Sequence, residues 1–213
     1  MTYSHIVLDV DSTLSGIEGI DWLASRIGGD ALGQIAEMTS AAMRGDTPLE
    51  AVYAERLACV RPTRSDLAAL AEAYIAAIAP GARDAIALLM SRGVRVMLVS
   101  GGLRDAILPL AAHVGIAPSD VHAVPLRFTV AGNYDGYDTS SLLCRSGGKV
   151  EVVERVAPVR TTVAVGDGIT DAELKPIVAR FIAFTGFALN DRVVALADDV
   201  ITSFVDLPPL VLS

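Results

Sequence analysis

Cysteine is scarce in this chain: there are two in 213 residues, Cys59 and Cys144, far apart and outside any Cys-x-x-Cys spacing. That argues against a disulfide scaffold or a thiolate metal site and leaves both as free structural thiols. No stretch approaches the roughly 18 charge-free apolar residues that a membrane span takes, although 52 % of the chain is hydrophobic. There is no run of Lys or Arg, and the net charge is -8. A nucleic-acid surface or an anionic-membrane binder is therefore disfavoured, and the ligand should be small. The opening Met1-Thr2-Tyr3-Ser4-His5 carries neither the basic region nor the cleavage site of a secretory signal. The cytoplasm is the expected location. Internal repeats and low-complexity segments are absent as well.

What is present first is Ile6-Val7-Leu8-Asp9-Val10, a mostly β-branched apolar run without polar alternation. It predicts a strand buried on both faces of a parallel sheet. From 16 to 78 the composition shifts to Ala, Leu, Glu and Met at helical spacing, with turns at Gly28-Gly29 and Gly45-Asp46-Thr47-Pro48. After Ala79-Pro80-Gly81 helix and strand alternate: helix 82–91, strand 94–99, a helix from about Leu103, helix 149–156, strand 162–165, and later strands at 180–184 and 200–201. Segments 126–130 and 134–138 flank Ala131-Gly132-Asn133 as a β-hairpin. The expected architecture is a doubly wound parallel α/β core, residues 1–12 and 79–213, with a small helical cap, residues 13–78, inserted after the first strand. Ligands of open α/β sheets bind beyond the carboxyl ends of the strands, so such an insertion sits over the site.

The acids gather at those strand ends. Asp9-Val10-Asp11-Ser12-Thr13 closes the first strand, and Gly166-Asp167-Gly168-Ile169-Thr170-Asp171 closes a later one. Thr170 is read as the cap of a helix that aims Asp171 back at the same edge. Carboxylates crowded together repel unless a divalent cation neutralises them. Magnesium fits, because the candidate ligands are all oxygens and His5, His113 and His122 are scattered. Ser100-Gly101-Gly102, after strand 94–99, offers a hydroxyl and unhindered amides at a helix start, an anion site. Lys149, after Ser146-Gly147-Gly148, can add a cation to the same phosphate.

In combination, Asp-x-Asp-x-Thr, Ser-Gly-Gly, Lys and Gly-Asp-Gly-x-x-Asp resemble the four motifs of the haloacid dehalogenase superfamily. Within it the chain resembles the phosphoserine phosphatase family through Leu8-Asp9-Val10-Asp11-Ser12-Thr13, Glu18-Gly19-Ile20-Asp21, Met43, Glu55-Arg56-Leu57 and the final motif. The resemblance implies a Rossmann-like fold and a phosphomonoesterase that hydrolyses O-phospho-L-serine. It makes Asp9 the nucleophile that forms an aspartyl-phosphate and Asp11 the general acid and base. It gives magnesium to the Asp9 carboxylate, the Asp11 carbonyl and Asp167, with Asp171 orienting metal-bound water and Lys149. Ser100, Gly101, Lys149 and Thr170 fall to substrate binding. Glu18 is implied to meet the ammonium of phosphoserine, Arg56 its carboxylate, and Met43 its small body. Serine biosynthesis is the implied setting, with the chain a monomer or a homodimer.

Arg44 stands where the family more often has glycine, Ile17 where a second acid is common, and Pro109 falls inside the helix after Ser-Gly-Gly. Arg44 supports the alternative that another small ester is the substrate, phosphothreonine or homoserine phosphate. Haloacid dehalogenation is disfavoured because it needs no metal. A phospho-accepting receiver domain is disfavoured because its acceptor follows a central strand and it lacks so long a helical insertion.

Overall fold

The computed structural model describes residues 3–27, 31–44 and 48–213. Ile6, Val7 and Leu8 of β1 (His5–Leu8) are all buried. Successive strand residues point to opposite faces, so both faces of the strand are covered. Four helices follow it directly, ahead of the one that starts at Ala82: α1 (Gly19–Ile27), α2 (Ala31–Arg44), α3 (Leu49–Val60) and α4 (Arg64–Ala76). The remainder is α5 (Ala82–Ser91), β2 (Arg95–Leu103), α6 (Arg104–His113), β3 (Val121–Val124), the hairpin β4 (Leu126–Phe128) and β5 (Tyr134–Tyr137), then α7 (Gly148–Val156) and β6 (Thr162–Gly166). The chain ends with α8 (Ile169–Ala172), β7 (Arg180–Phe184), α9 (Asp191–Leu196), β8 (Asp199–Ile201) and α10 (Leu207–Leu212).

The main sheet has the order β3-β2-β1-β6-β7-β8 with every pairing parallel. The chain winds from β1 out through β2 and β3, then crosses back over β1 to β6 and winds the other way. This is the doubly wound fold expected, and its switch point, the place where open α/β sheets bind ligands, lies between β1 and β6. Register sharpens the point. Leu8 pairs with Leu98 on one side and Val165 on the other, so the residues after β1, the end of β6 and Ser100 on β2 reach one edge together.

The four-helix segment folds on its own patterning and docks on the sheet layer. In α4 the buried residues Leu67, Leu70, Ala71 and Tyr74 recur at i, i+3, i+4 and i+7, and a Thr63–Asp66 capping box starts the helix. α4 packs along α6, which holds the segment against the sheet layer. Residues 28–30 and 45–47, where turns were expected, lie outside the described residues.

Several expectations shift. β2 does not stop at Val99 but runs through Gly101 and Gly102 to Leu103, with a register irregularity against β3 between Val99 and Leu103. Ser100-Gly101-Gly102 therefore lies on an irregular strand and not at the start of α6; glycines in a strand permit such a departure. β3 was not anticipated, because His122 interrupts its short apolar run. The hairpin strands are shorter than read, and α6 continues through Pro109. Both cysteines are free, Cys59 exposed and Cys144 buried. Among the described residues no helix is long and apolar enough to cross a membrane.

Candidate active site

Asp9 is the first residue past β1. Its N–H donates to Val165 O at 3.0 Å, which extends the ladder to β6 by one step and fixes the direction in which the buried side chain leaves. The chain then reverses at once. Ser12 sits at φ 51, a left-handed conformation that non-glycine residues seldom adopt, and the Thr13 and Ser15 amides both donate to Val10 O, at 3.3 and 3.0 Å. The turn expected at Ser12-Thr13 is present, and it carries Thr13 to the neighbouring strand end, where its hydroxyl donates to Asp167 Oδ1 at 2.6 Å.

Asp171 arrives by a route other than the one expected. Helix α8 begins at Ile169, one residue before Thr170, so Thr170 lies in the first turn and does not cap it. Instead Asp171 Oδ2 accepts from the Gly168 amide at 3.1 Å. Its Oδ1 accepts from Lys149 Nζ at 2.6 Å. Lys149 Nζ is also 2.9 Å from Asp9 Oδ1, an ion pair without hydrogen-bond alignment. Asp9, Asp167 and Asp171 are all buried, with one oxygen of each within 4.8 Å of the others.

So much buried negative charge is costly. Burial, and then the charge on Asp9, pushes Asp171 up to about 7 and Asp11 up to about 6. Asp167 is raised by burial first and then by Asp9 and Asp171. Burial opposes the charge of Lys149, but Asp171 and Asp9 hold its pKa well above the usual lysine range. Asp167 Oδ2 is buried without any hydrogen-bond partner. An unpartnered carboxylate oxygen in a cluster of acids fits a hard divalent cation bound by oxygen donors.

Around this centre, Ser100 is buried and its Oγ accepts from the Gly102 amide at 3.1 Å. Above it stand side chains of the four-helix segment. Glu18 Oε1 accepts from Ser12 Oγ at 2.6 Å, and burial followed by the nearby Asp11 raises its pKa well above the usual range. Arg56 is buried, with Nη2 3.2 Å from Asp21 Oδ1 and Nε without a partner. Met43 lies on α2, with its side chain outside the described residues.

The sequence model for haloacid dehalogenase-like hydrolases matches residues 6–175. The chain belongs to that family. Among haloacid dehalogenase-like hydrolases, it is 36% identical over 205 residues to the phosphoserine phosphatase of Bos taurus, covering 95% of this chain and 90% of that protein. A phosphoserine phosphohydrolase-like protein of Francisella tularensis superimposes with a TM-score of 0.89 at 25% identity, covering 99% of this chain and 100% of the other. A phosphoserine phosphatase solved as an analogue of its phospho-aspartyl intermediate gives 0.78 at 26% identity, with 95% of each chain covered.

For this hydrolase, sequence reasoning missed three residues that frame the site, Glu50, Tyr53 and Tyr74, and quoted Asp21 without giving it a role. Glu50 accepts from the amide and hydroxyl of Ser146, at 2.9 and 3.0 Å. Tyr53 donates to Gly101 O at 2.8 Å, Asp21 pairs with Arg56, and Tyr74 donates to Asp11 Oδ1. For the first two a signal existed: Glu50, Tyr53 and Arg56 are spaced by three, which puts them along one side of α3. Tyr74, in an unremarkable Ala-rich turn, carried none.

Proposed function

We propose that this chain hydrolyses O-phospho-L-serine to L-serine and phosphate, with magnesium bound, through an aspartyl-phosphate at Asp9. The observation that carries the reading is the cluster of Asp9, Asp167 and Asp171 around Lys149 at the switch point, beneath an arginine whose buried Nε lacks a partner. The relatives' names point to the same substrate.

In this reading one oxygen of Asp9 attacks phosphorus, and the bond from phosphorus to the serine oxygen breaks. Asp11 gives its proton to the departing alkoxide. Water then attacks the phosphorus of the aspartyl-phosphate while Asp11 takes a proton from it, and the bond to Asp9 breaks to release phosphate. Two easier displacements replace one hard one. Lys149, Ser100 and Gly101 hold the phosphoryl oxygens, with Thr170 at the rim. Asp9, the Asp11 carbonyl and Asp167 would hold the magnesium, oriented by Asp171. When bound, the ion neutralises phosphoryl charge, so that an anionic nucleophile can approach an anionic ester.

Residues 13–78 act as the cap and 1–12 with 79–213 as the core. Glu18 meets the substrate ammonium, Arg56 its carboxylate and Met43 its methylene. The reading sets the enzyme in the cytoplasm, as a monomer or homodimer.

The test is steady-state phosphate release from phosphoserine, phosphothreonine and several sugar phosphates, with magnesium or with EDTA, for wild type and Asp9→Asn. Selective, magnesium-dependent turnover of phosphoserine that is lost in the variant is expected. Activity confined to other esters overturns the serine clamp, and activity that survives Asp9→Asn overturns the mechanism.

A further inference from the structure

We infer that Tyr74 is a positioning residue for proton transfer: with the Gly19 amide it holds Asp11 so that Oδ2 is the oxygen that exchanges the proton with the leaving group. The inference rests on the reaction proposed above.

Asp11 receives two hydrogen bonds from the described residues, and both fall on Oδ1. Tyr74 donates its hydroxyl, and Gly19 donates its N–H at 3.1 Å. An oxygen that accepts from two donors has no place for a proton of its own, so a protonated Asp11 carries it on Oδ2. That oxygen is aimed at the Ser100–Gly102 stretch of β2. A Cβ built on Gly102 would meet Asp11 Oδ2 at 2.9 Å and Ser100 Oγ at 3.3 Å, so the two atoms border the same small space.

Tyr74 is held rigidly enough to do this. It is fully buried, and Ser15 Oγ donates to its carbonyl at 3.0 Å, tying the end of α4 to the loop beyond Asp11. A carboxylate oxygen can only accept, so the phenol hydroxyl is the donor of this bond. Gly19 makes room for it: a Cβ there would lie 2.2 Å from the Tyr74 hydroxyl oxygen.

The role separates from mere packing through the leaving group. An alkyl ester needs the proton as its bond breaks, whereas 4-nitrophenyl phosphate departs without it. We therefore expect Tyr74→Phe to lower kcat/KM for phosphoserine by about 10- to 100-fold, within the reach of general acid catalysis, and for 4-nitrophenyl phosphate by less than about 3-fold. In an Asp11→Asn background the same change should cost nothing further, since residues that act as a unit are non-additive. Gly19→Ala, which displaces the hydroxyl and keeps the tyrosine, should reproduce the selective loss if Tyr74→Phe folds poorly. Equal losses on both esters, no loss on either, or additive losses with Asp11→Asn overturn the inference. If the wild type prefers another alkyl ester, only the serine assignment fails and the comparison proceeds on that ester. A wild type inert to every alkyl ester removes the reaction and this role with it.

Discussion

Lys149 donates to Asp171 Oδ1 at 2.6 Å with both side chains buried, one from the first turn of α7 and the other from α8. The same ammonium faces Asp9 Oδ1 at 2.9 Å. Removing it leaves buried carboxylates uncompensated, a loss on the order of 3–5 kcal/mol when one partner of a buried pair is deleted. Lys149→Met should therefore lower the denaturation midpoint in EDTA with an unchanged slope, and abolish measurable phosphate release. A midpoint within error of wild type would show that the pair carries no net stability.

Asp167→Asn should act in the opposite direction on the metal-free protein. The amide that replaces the carboxylate keeps an oxygen for the Thr13 hydroxyl, which donates to Asp167 Oδ1 at 2.6 Å in the wild type, while one charge leaves the cluster. In EDTA the variant should melt at or above the wild-type temperature. Added magnesium should raise only the wild type, by about 2.7 kcal/mol at a hundred times its dissociation constant. A magnesium response that persists in the variant assigns the ion to other ligands.

The edge that gathers the acids was legible because both acidic motifs follow buried strands, and parallel strands in register deliver their ends to one line: Leu8 against Leu98 and Val165 decides where Asp9, Ser100 and Asp167 meet. Local punctuation was less legible. Thr170 has the chemistry of a helix cap, but Asp171 reaches Gly168 first, and β2 absorbs the two glycines expected to end it. The contacts from α3 and α4 were mostly hidden. Tyr53 and Tyr74 act through hydroxyls whose partners depend on how helices dock, and neither helical period nor residue type encodes that docking.

Asp11 supplies a pH dependence with a definite sign. Burial and Asp9 raise its folded-state pKa from 3.8 to about 6. Between those values the native state holds more protons than the unfolded one, so unfolding free energy falls as pH rises. The contribution is present below the unfolded value and lost on passing the folded one. Asp11→Asn cannot titrate and keeps an oxygen for Tyr74. In EDTA its stability relative to wild type should grow from pH 4 to 6 and level off above, by on the order of 1–3 kcal/mol at about 1.4 kcal/mol per pH unit. Denaturant melts of the two proteins across that range measure the difference, in which titrations common to both cancel. A flat difference means that Asp11 titrates alike in both states.

Arg56 offers the sharpest separation of substrate recognition from chemistry. It spends one end of its guanidinium on Asp21, at 3.2 Å, and leaves Nε buried without an acceptor. A substrate carboxylate would complete that fork, and a lysine, whose compact ammonium lacks the planar fork and sits nearer its own backbone, would not hold Asp21 and a bidentate carboxylate in the same geometry. Arg56→Lys should raise KM for phosphoserine by about 10- to 100-fold, because a site built to bond a polar group discriminates strongly against losing it. Phosphoethanolamine, which has the ammonium and no carboxylate, should lose less than about 3-fold in kcat/KM. If both substrates lose equally, Arg56 serves the docking of α3 through Asp21, and the carboxylate is recognised elsewhere. If neither changes, the serine moiety does not reach Arg56, and the specificity assigned to the helices above the sheet has to be rebuilt around another residue.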